Sequence, residues 1–309
     1  MKRVFIDGSA GTTGLRIYER LRERDDISLL LLSDDRRKDP VARKQMLNEA
    51  DVAFLCLPDD ASREAVAMLE NPDTVVLDTS TAHRTAYGWC YGFPELSERM
   101  EAELRSAKRI AVPGCHASGF IALVYPLIEA GVLPKDALLC AHSLTGYSGG
   151  GKKMIAEYES DGRDALLDAP RQYALGQTHK HLKEMVYVTG LETAPVFSPI
   201  VCDFYSGMAV TVPLFASQLK GATIADVRRI YAEKYRSPIV SYAEGVDEGG
   251  FLSATKLSLL DRMEISVSGN DERMLLLSRY DNLGKGASGA ALECMNLVLG
   301  LPKEYGLSI

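Results

Sequence analysis

No apolar run in the chain approaches the roughly eighteen residues of a membrane-spanning helix, so no transmembrane anchor is expected. Positive charge is not in excess either. The 35 Lys and Arg against 42 Asp and Glu leave a formal net charge of −7, which removes the electrostatic case for nucleic acid or anionic lipid as a partner. The six cysteines, at 56, 90, 115, 140, 202 and 294, lack the paired short spacings of a zinc site or a dithiol redox motif, so no metal is expected. A chain of 309 residues needs no disulfide staples, and Met1 leads straight into an apolar strand with no room for a signal peptide. Both features point to a reducing cytoplasm. Internal repeats and low-complexity tracts are also missing. What is present, 46% hydrophobic and 25% charged residues, is the composition of an ordinary globular protein long enough for two domains.

The first hundred or so residues alternate strand and helix. Strands are expected at 3–7, 29–32, 52–57 and 74–78, with a further one ending at Val112; helices are expected over 13–24, 40–50 and 60–70. Such alternation reads as βαβ units on a Rossmann-like parallel sheet. After Cys115 the texture changes to a long helix near 117–130, then strands near 138–145, 185–188, 200–214 and 263–268, some alternating in polarity as one-sided antiparallel strands do. A final helix at 287–299 returns to the first domain. The expected fold is therefore α/β: residues 1–115 with 284–309 form the nucleotide domain. Residues 116–283 form a second α+β domain with a largely antiparallel sheet, for catalysis and dimerisation.

Gly8-Ser9-Ala10-Gly11-Thr12-Thr13-Gly14 follows the first strand and opens the first helix. Glycines at this spacing let the backbone turn tightly against a pyrophosphate, which helix N-terminal N–H groups then meet. Gly8, Ala10, Gly11, Thr12, Thr13 and Gly14 are thus candidate dinucleotide contacts. About twenty residues on, Ser33-Asp34-Asp35-Arg36-Arg37-Lys38 carries both an acid for a ribose hydroxyl and a Ser with Arg for a 2′-phosphate; the residues favour NADP through Ser33, Arg36 or Arg37.

Ala-Val-Pro-Gly-Cys-His-Ala-Ser-Gly at 111–119 reads as strand, tight turn, then Cys115 at a helix start, where backbone N–H groups and the helix dipole favour a thiolate. In His179-Lys180-His181-Leu182-Lys183-Glu184 a helix would put His181 and Glu184 on one face, which suits an acid/base imidazole with an orienting carboxylate. Gly146-Tyr147-Ser148-Gly149-Gly150-Gly151-Lys152-Lys153 nearly matches a P-loop, but Lys153 stands where the Mg²⁺-binding Ser or Thr belongs, so an ATPase reading fails. Ser148, Gly149 and Lys152 could still wrap an anionic substrate or a cofactor phosphate. Two further segments look site-like: Asp78 to Arg84, after a strand end, with Ser80 on the cofactor side and Arg84 a phosphate clamp, and 281–289 at the last helix, with Asn282 and Lys285.

Taken together these motifs resemble the N-acetyl-gamma-glutamyl-phosphate reductase family in its shorter bacterial form. The resemblance is carried by the N-terminal Gly loop, Asp-x-Ser-x-x-x-Arg at 78–84, Phe-Pro-Glu-Leu at 93–96, Pro-Gly-Cys at 113–115, the Ser-Gly-Gly-Gly-Lys loop, His-x-His-x-x-Glu at 179–184 and Asn-Leu-x-Lys-Gly-Ala-Ser-Gly at 282–289. It implies NADP(H) as cofactor and an N-acetylated glutamyl phosphate as substrate, reduced to the semialdehyde in arginine biosynthesis. It further implies Cys115 as the acylated nucleophile, His181 as acid/base, Glu184 as an orienting or substrate carboxylate, and a homo-oligomer, dimer or tetramer. The chain departs from the family pattern at Ser118, Lys183 and Glu293, where threonine, proline and glutamine are common. Two alternatives stay open at this stage: an aspartate-semialdehyde dehydrogenase or lysine-pathway relative, and a non-catalytic NADP-sensing regulator.

Overall fold

Short runs of buried β-branched and aromatic residues, each closed by glycine, proline or a capping side chain, set the first part of the chain. The computed structural model describes residues 1–309 and divides into one unit of Met1–Gly114 with Ala287–Leu307 and another of Cys115–Gly286 with Ser308–Ile309. In the first unit the order is β1 (Lys2–Asp7), α1 (Thr12–Leu21), β2 (Ile27–Leu30), α2 (Pro40–Glu49), β3 (Val52–Leu55), α3 (Asp59–Ala67), β4 (Val75–Asp78), β5 (Cys90–Tyr91), α4 (Glu98–Ser106) and β6 (Arg109–Ala111). The strands lie in the order β2-β1-β3-β4-β6-β5, and every pairing is parallel. A parallel sheet covered on both faces needs apolar residues at successive positions, and β3 (Val-Ala-Phe-Leu) is buried at all four. Local chemistry sets the helix starts. Asp39 accepts from the Val41 N–H at 2.9 Å ahead of Pro40, and Ser97 accepts from the Met100 N–H at 3.1 Å.

The second unit runs α5 (Cys115–Glu129), β7 (Cys140–Gly146), α6 (Gly151–Glu159), β8 (Arg171–Gln172), α7 (Leu182–Thr189), β9 (Val196–Cys202), β10 (Met208–Phe215), α8 (Ile224–Lys234), β11 (Val240–Tyr242), β12 (Met263–Gly269) and β13 (Arg273–Tyr280). Its sheet has the order β11-β12-β13-β10-β7-β9-β8. The β12–β13, β13–β10, β10–β7 and β9–β8 pairs are antiparallel, whereas β11–β12 and β7–β9 are parallel. The sequence reads 185–188 as a strand, with β-branched Val186 and Val188; it is instead the body of α7, which ends at Gly190 in a left-handed conformation (φ 75°). The single strand expected at 200–214 is two, β9 and β10, separated by a turn at 203–207.

Helix α5 is buried along most of its length, and Pro126 lies inside it. Proline has no N–H to give the carbonyl four residues earlier, that of Ala122, and the hydroxyl of Tyr235, the residue that follows α8, donates to that carbonyl instead at 2.7 Å. The Tyr231 hydroxyl does the same for Leu123 at 2.5 Å, so two tyrosines fasten α8 to α5. A π-turn, Gly284–Ser288, then leads into α9 (Gly289–Val298). This helix supplies Ala290, Ala291, Leu292, Met295 and Leu297 to the core that also holds Val4, Ile6, Phe54 and Ile110 of the first unit.

Candidate active site

At the carboxyl end of β1 the chain makes a turn that only glycine fits. Gly8 has φ 86°, and a Cβ there would stand 2.3 Å from the Cys56 carbonyl oxygen. A Cβ on Gly14 would stand 2.4 Å from the Gly8 carbonyl oxygen. The Gly11 N–H donates to that same carbonyl at 3.0 Å, and α1 then starts without a side-chain cap, leaving its first N–H groups for a ligand. The Thr12 hydroxyl is buried beside this loop with no hydrogen-bond partner in the chain. A backbone cradle and an orphaned hydroxyl at a helix N-terminus fit a dinucleotide pyrophosphate.

Next to the loop is a cavity of about 340 Å³ lined by Gly8, Ser9 and Ala10 and by three cations, Arg37, Lys38 and Arg43. Arg43 is buried and anchored on Asp7 of β1, with Nε and Nη2 3.1 and 2.9 Å from Oδ2. Burial pushes the Asp7 carboxyl up, and the Arg43 guanidinium opposes that rise. Ser33 and Arg36 lie on the exposed turn outside the lining; Arg36 pairs with Asp39 at 3.6 Å and Arg37 with Asp34 at 2.7 Å. Lys38 and Arg43 were not among the residues singled out from the sequence. Arg43 lies within α2, where its spacing from the glycine loop gives no warning.

At the end of β4 the Ser80 hydroxyl donates to Asp78 Oδ2 at 2.8 Å, and His83 Nδ1 sits 2.6 Å from the same oxygen. Arg84, expected as a phosphate clamp, is buried, and its Nε and Nη2 donate to the Val112 and Thr79 carbonyls at 2.9 Å each. In this position it ties the ends of β4 and β6 together.

In the second unit Cys115 is the first residue of α5 and half-buried. The Tyr280 hydroxyl of β13 stands at the first rung of this helix: it donates to the Cys115 carbonyl at 2.5 Å and accepts from the Gly119 N–H at 3.1 Å. Gly119 allows this approach, because a Cβ there would stand 2.5 Å from Ser278 Oγ and 2.6 Å from Tyr280 Oη. From the other side the π-turn closes on Cys115, where a Cβ on Gly286 would come 3.1 Å from Cys115 Cβ. Asp281 fixes that turn by accepting the N–H groups of Leu283 and Gly284 at 2.7 Å each and of Leu259 at 2.6 Å. Lys285 is buried within it.

Aromatic and imidazole rings gather beside α5. His116 lies 5.5 Å from His179 and 5.6 Å from His181, His179 lies 4.7 Å from His181, and Phe197 and Tyr173 complete the group. His181 is the residue immediately before α7, and Glu184 lies in its first turn; Nε2 and Oε1 are 4.0 Å apart and both side chains are buried. The segment between β8 and α7 is held in place by backbone in the left-handed region at Ala174 (φ 52°) and Gln177 (φ 54°). The Gln177 amide offsets that strain, of order 1 kcal/mol per residue, by donating to the Phe197 carbonyl at 2.9 Å and accepting its N–H at 2.8 Å.

Asn282 and Ser148, expected on the cofactor and substrate sides, are bonded to each other. Asn282 Nδ2 donates to Ser148 Oγ at 3.0 Å, and its Oδ1 accepts the Gly207 N–H at 2.9 Å. The Asn282 amide therefore links the loop that carries Ser148 and Gly149 to the turn at 203–207. Lys152 is exposed in the first turn of α6. Tyr173, Tyr280, Ser143 and His116 were not identified from the sequence, and only the adjacency of His116 to Cys115 could have suggested one of them.

Two family models match the chain. The semialdehyde dehydrogenase NAD binding domain matches residues 3–103, and the semialdehyde dehydrogenase dimerisation domain matches residues 115–282. Solved structures agree with that architecture. Aspartate semialdehyde dehydrogenase II complexed with ASA from Vibrio cholerae superposes with a TM-score of 0.72 at 17% identity, covering 97% of this chain and 98% of that one. The enzyme from Francisella tularensis gives 0.73 at 12% identity, covering 97% and 100%. Fold and site thus define an NAD(P)-dependent oxidoreductase of the semialdehyde dehydrogenase class. Closer relatives narrow this. N-acetyl-gamma-glutamyl-phosphate reductase 2 of Nostoc is 44% identical over 99% of both chains, and the N-acetyl-gamma-glutamyl-phosphate reductase of Chelativorans is 44% identical over 96% of this chain and 98% of its own. The chain belongs to the N-acetyl-gamma-glutamyl-phosphate reductase family.

Proposed function

We propose that this protein reduces N-acetyl-gamma-glutamyl phosphate to the semialdehyde and phosphate, with NADPH as reductant, through a thioester on Cys115, as a step of arginine biosynthesis in the cytoplasm. The observation that carries the proposal is the placement of Cys115 as the first residue of a buried helix. The first N–H groups of a helix have no acceptor within it, and here they would be donors to an oxyanion developing on the acyl carbon bound to Cys115. The Cys115 sulfur attacks the acyl carbon, the C–O bond to phosphate breaks, and phosphate departs with the bonding pair. Helix N–H groups hold the oxyanion during this step. When bound, the reduced nicotinamide supplies a hydride to the acyl carbon. His181, next to Glu184, gives a proton to the oxygen of the resulting thiohemiacetal and takes it back as the aldehyde leaves and the Cys115 thiolate is regenerated. In its neutral or protonated form that imidazole is oriented by the Glu184 carboxylate 4.0 Å away.

The glycine loop and α1 would hold the pyrophosphate. Arg37 and Lys38 on the cavity, with Ser33 and Arg36 on the adjoining turn, supply the positive field that favours a 2′-phosphate over a free hydroxyl. Ser148, Gly149 and Lys152 would contact the substrate, while Arg84, Ser80 and Asn282 would act by fixing strand ends and loops. No helix is long and apolar enough to cross a membrane. The match to a dimerisation domain over 115–282 supports self-association through the second unit.

The test is phosphate-dependent reduction of NADP⁺ with N-acetylglutamate semialdehyde, with aspartate semialdehyde alongside. Absorbance growth at 340 nm only with the acetylated substrate and phosphate is expected. Cys115→Ala is expected to abolish turnover while leaving NADPH binding intact; a mutant with a tenth or more of wild-type activity would rule out the covalent route. Activity with aspartate semialdehyde instead would keep the chemistry and overturn the substrate.

A further inference from the structure

We propose that the Tyr173 hydroxyl donates a hydrogen bond to the reacting acyl oxygen of the substrate on Cys115, and that Ser143 and His116 aim its proton there. The acyl oxygen as target rests on the reaction proposed above, but the direction of the proton does not. The argument begins at the buried end of the chain of bonds. Ser143 in β7 is fully buried, and its hydroxyl lies 2.7 Å from His116 Nδ1 with no second partner. A buried O–H left without an acceptor costs free energy, so that proton is given to Nδ1. Burial, followed by the charges of His179 and Lys180, presses the His116 pKa down to about 3, so its ring is neutral and carries one N–H. With Nδ1 accepting, that N–H is on Nε2, which stands 2.6 Å from Tyr173 Oη.

His116 therefore donates to Tyr173, and the tyrosine's own proton points away from His116. No residue of the chain accepts it. The half-buried Tyr173 ring lies 5.8 Å from His179, which is 4.7 Å from His181, and His116 is the chain neighbour of Cys115. The free O–H thus opens onto the group of rings beside the nucleophile. Burial first and the Cys115 charge second push the Tyr173 phenol well above its ordinary range. It keeps its proton: it donates without transferring, and no bond is made or broken at Tyr173. An uncharged donor fixed in advance at the position of a developing oxyanion stabilises the tetrahedral intermediate without reorganising. In this scheme Tyr173 touches the substrate, while Ser143 and His116 are positioning residues.

Nitrogen NMR of the intact protein with labelled histidine reads the His116 tautomer directly. Protonated Nε2 with bare Nδ1 is expected, and the opposite tautomer would overturn the aim. In Tyr173→Phe, kcat should fall by roughly 10²-fold with KM nearly unchanged, as for loss of one oxyanion donor. Iodoacetamide should alkylate Cys115 in that variant within twofold of the wild-type rate, showing that fold and nucleophile survive. Unchanged kcat, or an alkylation rate altered tenfold, would overturn the acyl-oxygen target. Ser143→Ala should lower kcat and mix the His116 tautomers, and Ser143→Thr should restore both; equal losses in the two variants would refute the positioning role. Absence of turnover in the wild-type protein with either semialdehyde would overturn the reaction and the target together, while the tautomer measurement would still decide the aim.

Discussion

Replacing Gly286 by alanine tests whether the turn before the last helix sets the position of Cys115. The new Cβ would come 3.1 Å from Cys115 Cβ, 3.4 Å from Cys115 Cα and 3.0 Å from the Asp281 carbonyl oxygen. Carbon atoms in ordinary contact stand about 3.5–4.0 Å apart, so a gap of roughly half an ångström must open. The Asp281 side is poorly placed to give way, because its carbonyl accepts the Gly286 N–H at 2.9 Å and its carboxylate holds three further N–H groups. The start of α5 must move instead. Gly286 is outside the left-handed region, so the effect comes from space alone. A misplacement of about 1 Å at a reacting group costs on the order of 10²-fold, which makes half that displacement worth about tenfold, or about 1.4 kcal/mol in kcat/KM. The packing strain adds about 1 kcal/mol of lost stability, a few degrees in Tm. Steady-state kcat/KM with N-acetylglutamate semialdehyde and phosphate, beside a thermal melt, separates the two effects. A kcat/KM within twofold of wild type in a stably folded Gly286→Ala protein would refute the reasoning.

Gly119→Ala should be far less tolerated, because its Cβ would overlap Ser278 Oγ, Tyr280 Oη and Val210 Cγ2 at 2.5, 2.6 and 2.7 Å; a loss of about 3 kcal/mol is expected, and a melt unchanged within a degree would contradict it. Arg43→Leu leaves Asp7 buried without its cation and should cost about 3–5 kcal/mol in denaturant unfolding, whereas a loss under about 1 kcal/mol would show that water replaces the guanidinium. The Glu248 carboxylate is held down to about 2 by the Ser253 N–H first and by Lys256 and Arg279 next. Its folded-state pKa is depressed, so its contribution is full above the usual 4.5 and lost as pH falls towards about 2. Glu248→Gln should therefore flatten the dependence of stability on pH within that window. An unchanged slope would remove Glu248 from the acid response.

The alternation of the first unit was legible because parallel strands buried on both faces leave continuous apolar runs, as in β3, and because glycine alone fits the turn at Gly8. The strand expected at 185–188 failed for a local reason. Val186 and Val188 favour extended backbone, but packing of Met185 and Glu184 and the left-handed stop at Gly190 make the segment a helix. Asn282 shows a second limit. Its place ahead of the last helix suggested a cofactor contact, yet its amide is occupied by Ser148 and by Gly207, 134 and 75 residues away in sequence. Tyr173 meets His116 across 57 residues and Tyr280 meets Cys115 across 165, so no spacing rule reaches them. A cysteine at a helix start and a glycine loop are readable because they are local features of the chain. The side chains packed around them are chosen by tertiary neighbours.

The position of the second unit in the chain has a consequence for assembly. Cys115–Gly286 is one uninterrupted run, whereas the core of the first unit is incomplete until α9 arrives after it. During synthesis the strands before Gly114 emerge with their apolar faces uncovered by that helix. Joining them to α9 through a disordered loop of about 170 residues would cost roughly 4–5 kcal/mol in loop-closure entropy. Once the inserted run has folded, its two ends are in contact, with Gly286 against Cys115. The long loop is then reduced to a short stitch, and the helix is delivered close to the strands it must cover. The inserted unit is therefore the template on which its host finishes folding, and a mutation that weakens it should expose the apolar strands of the first unit to aggregation before any loss of chemistry is seen.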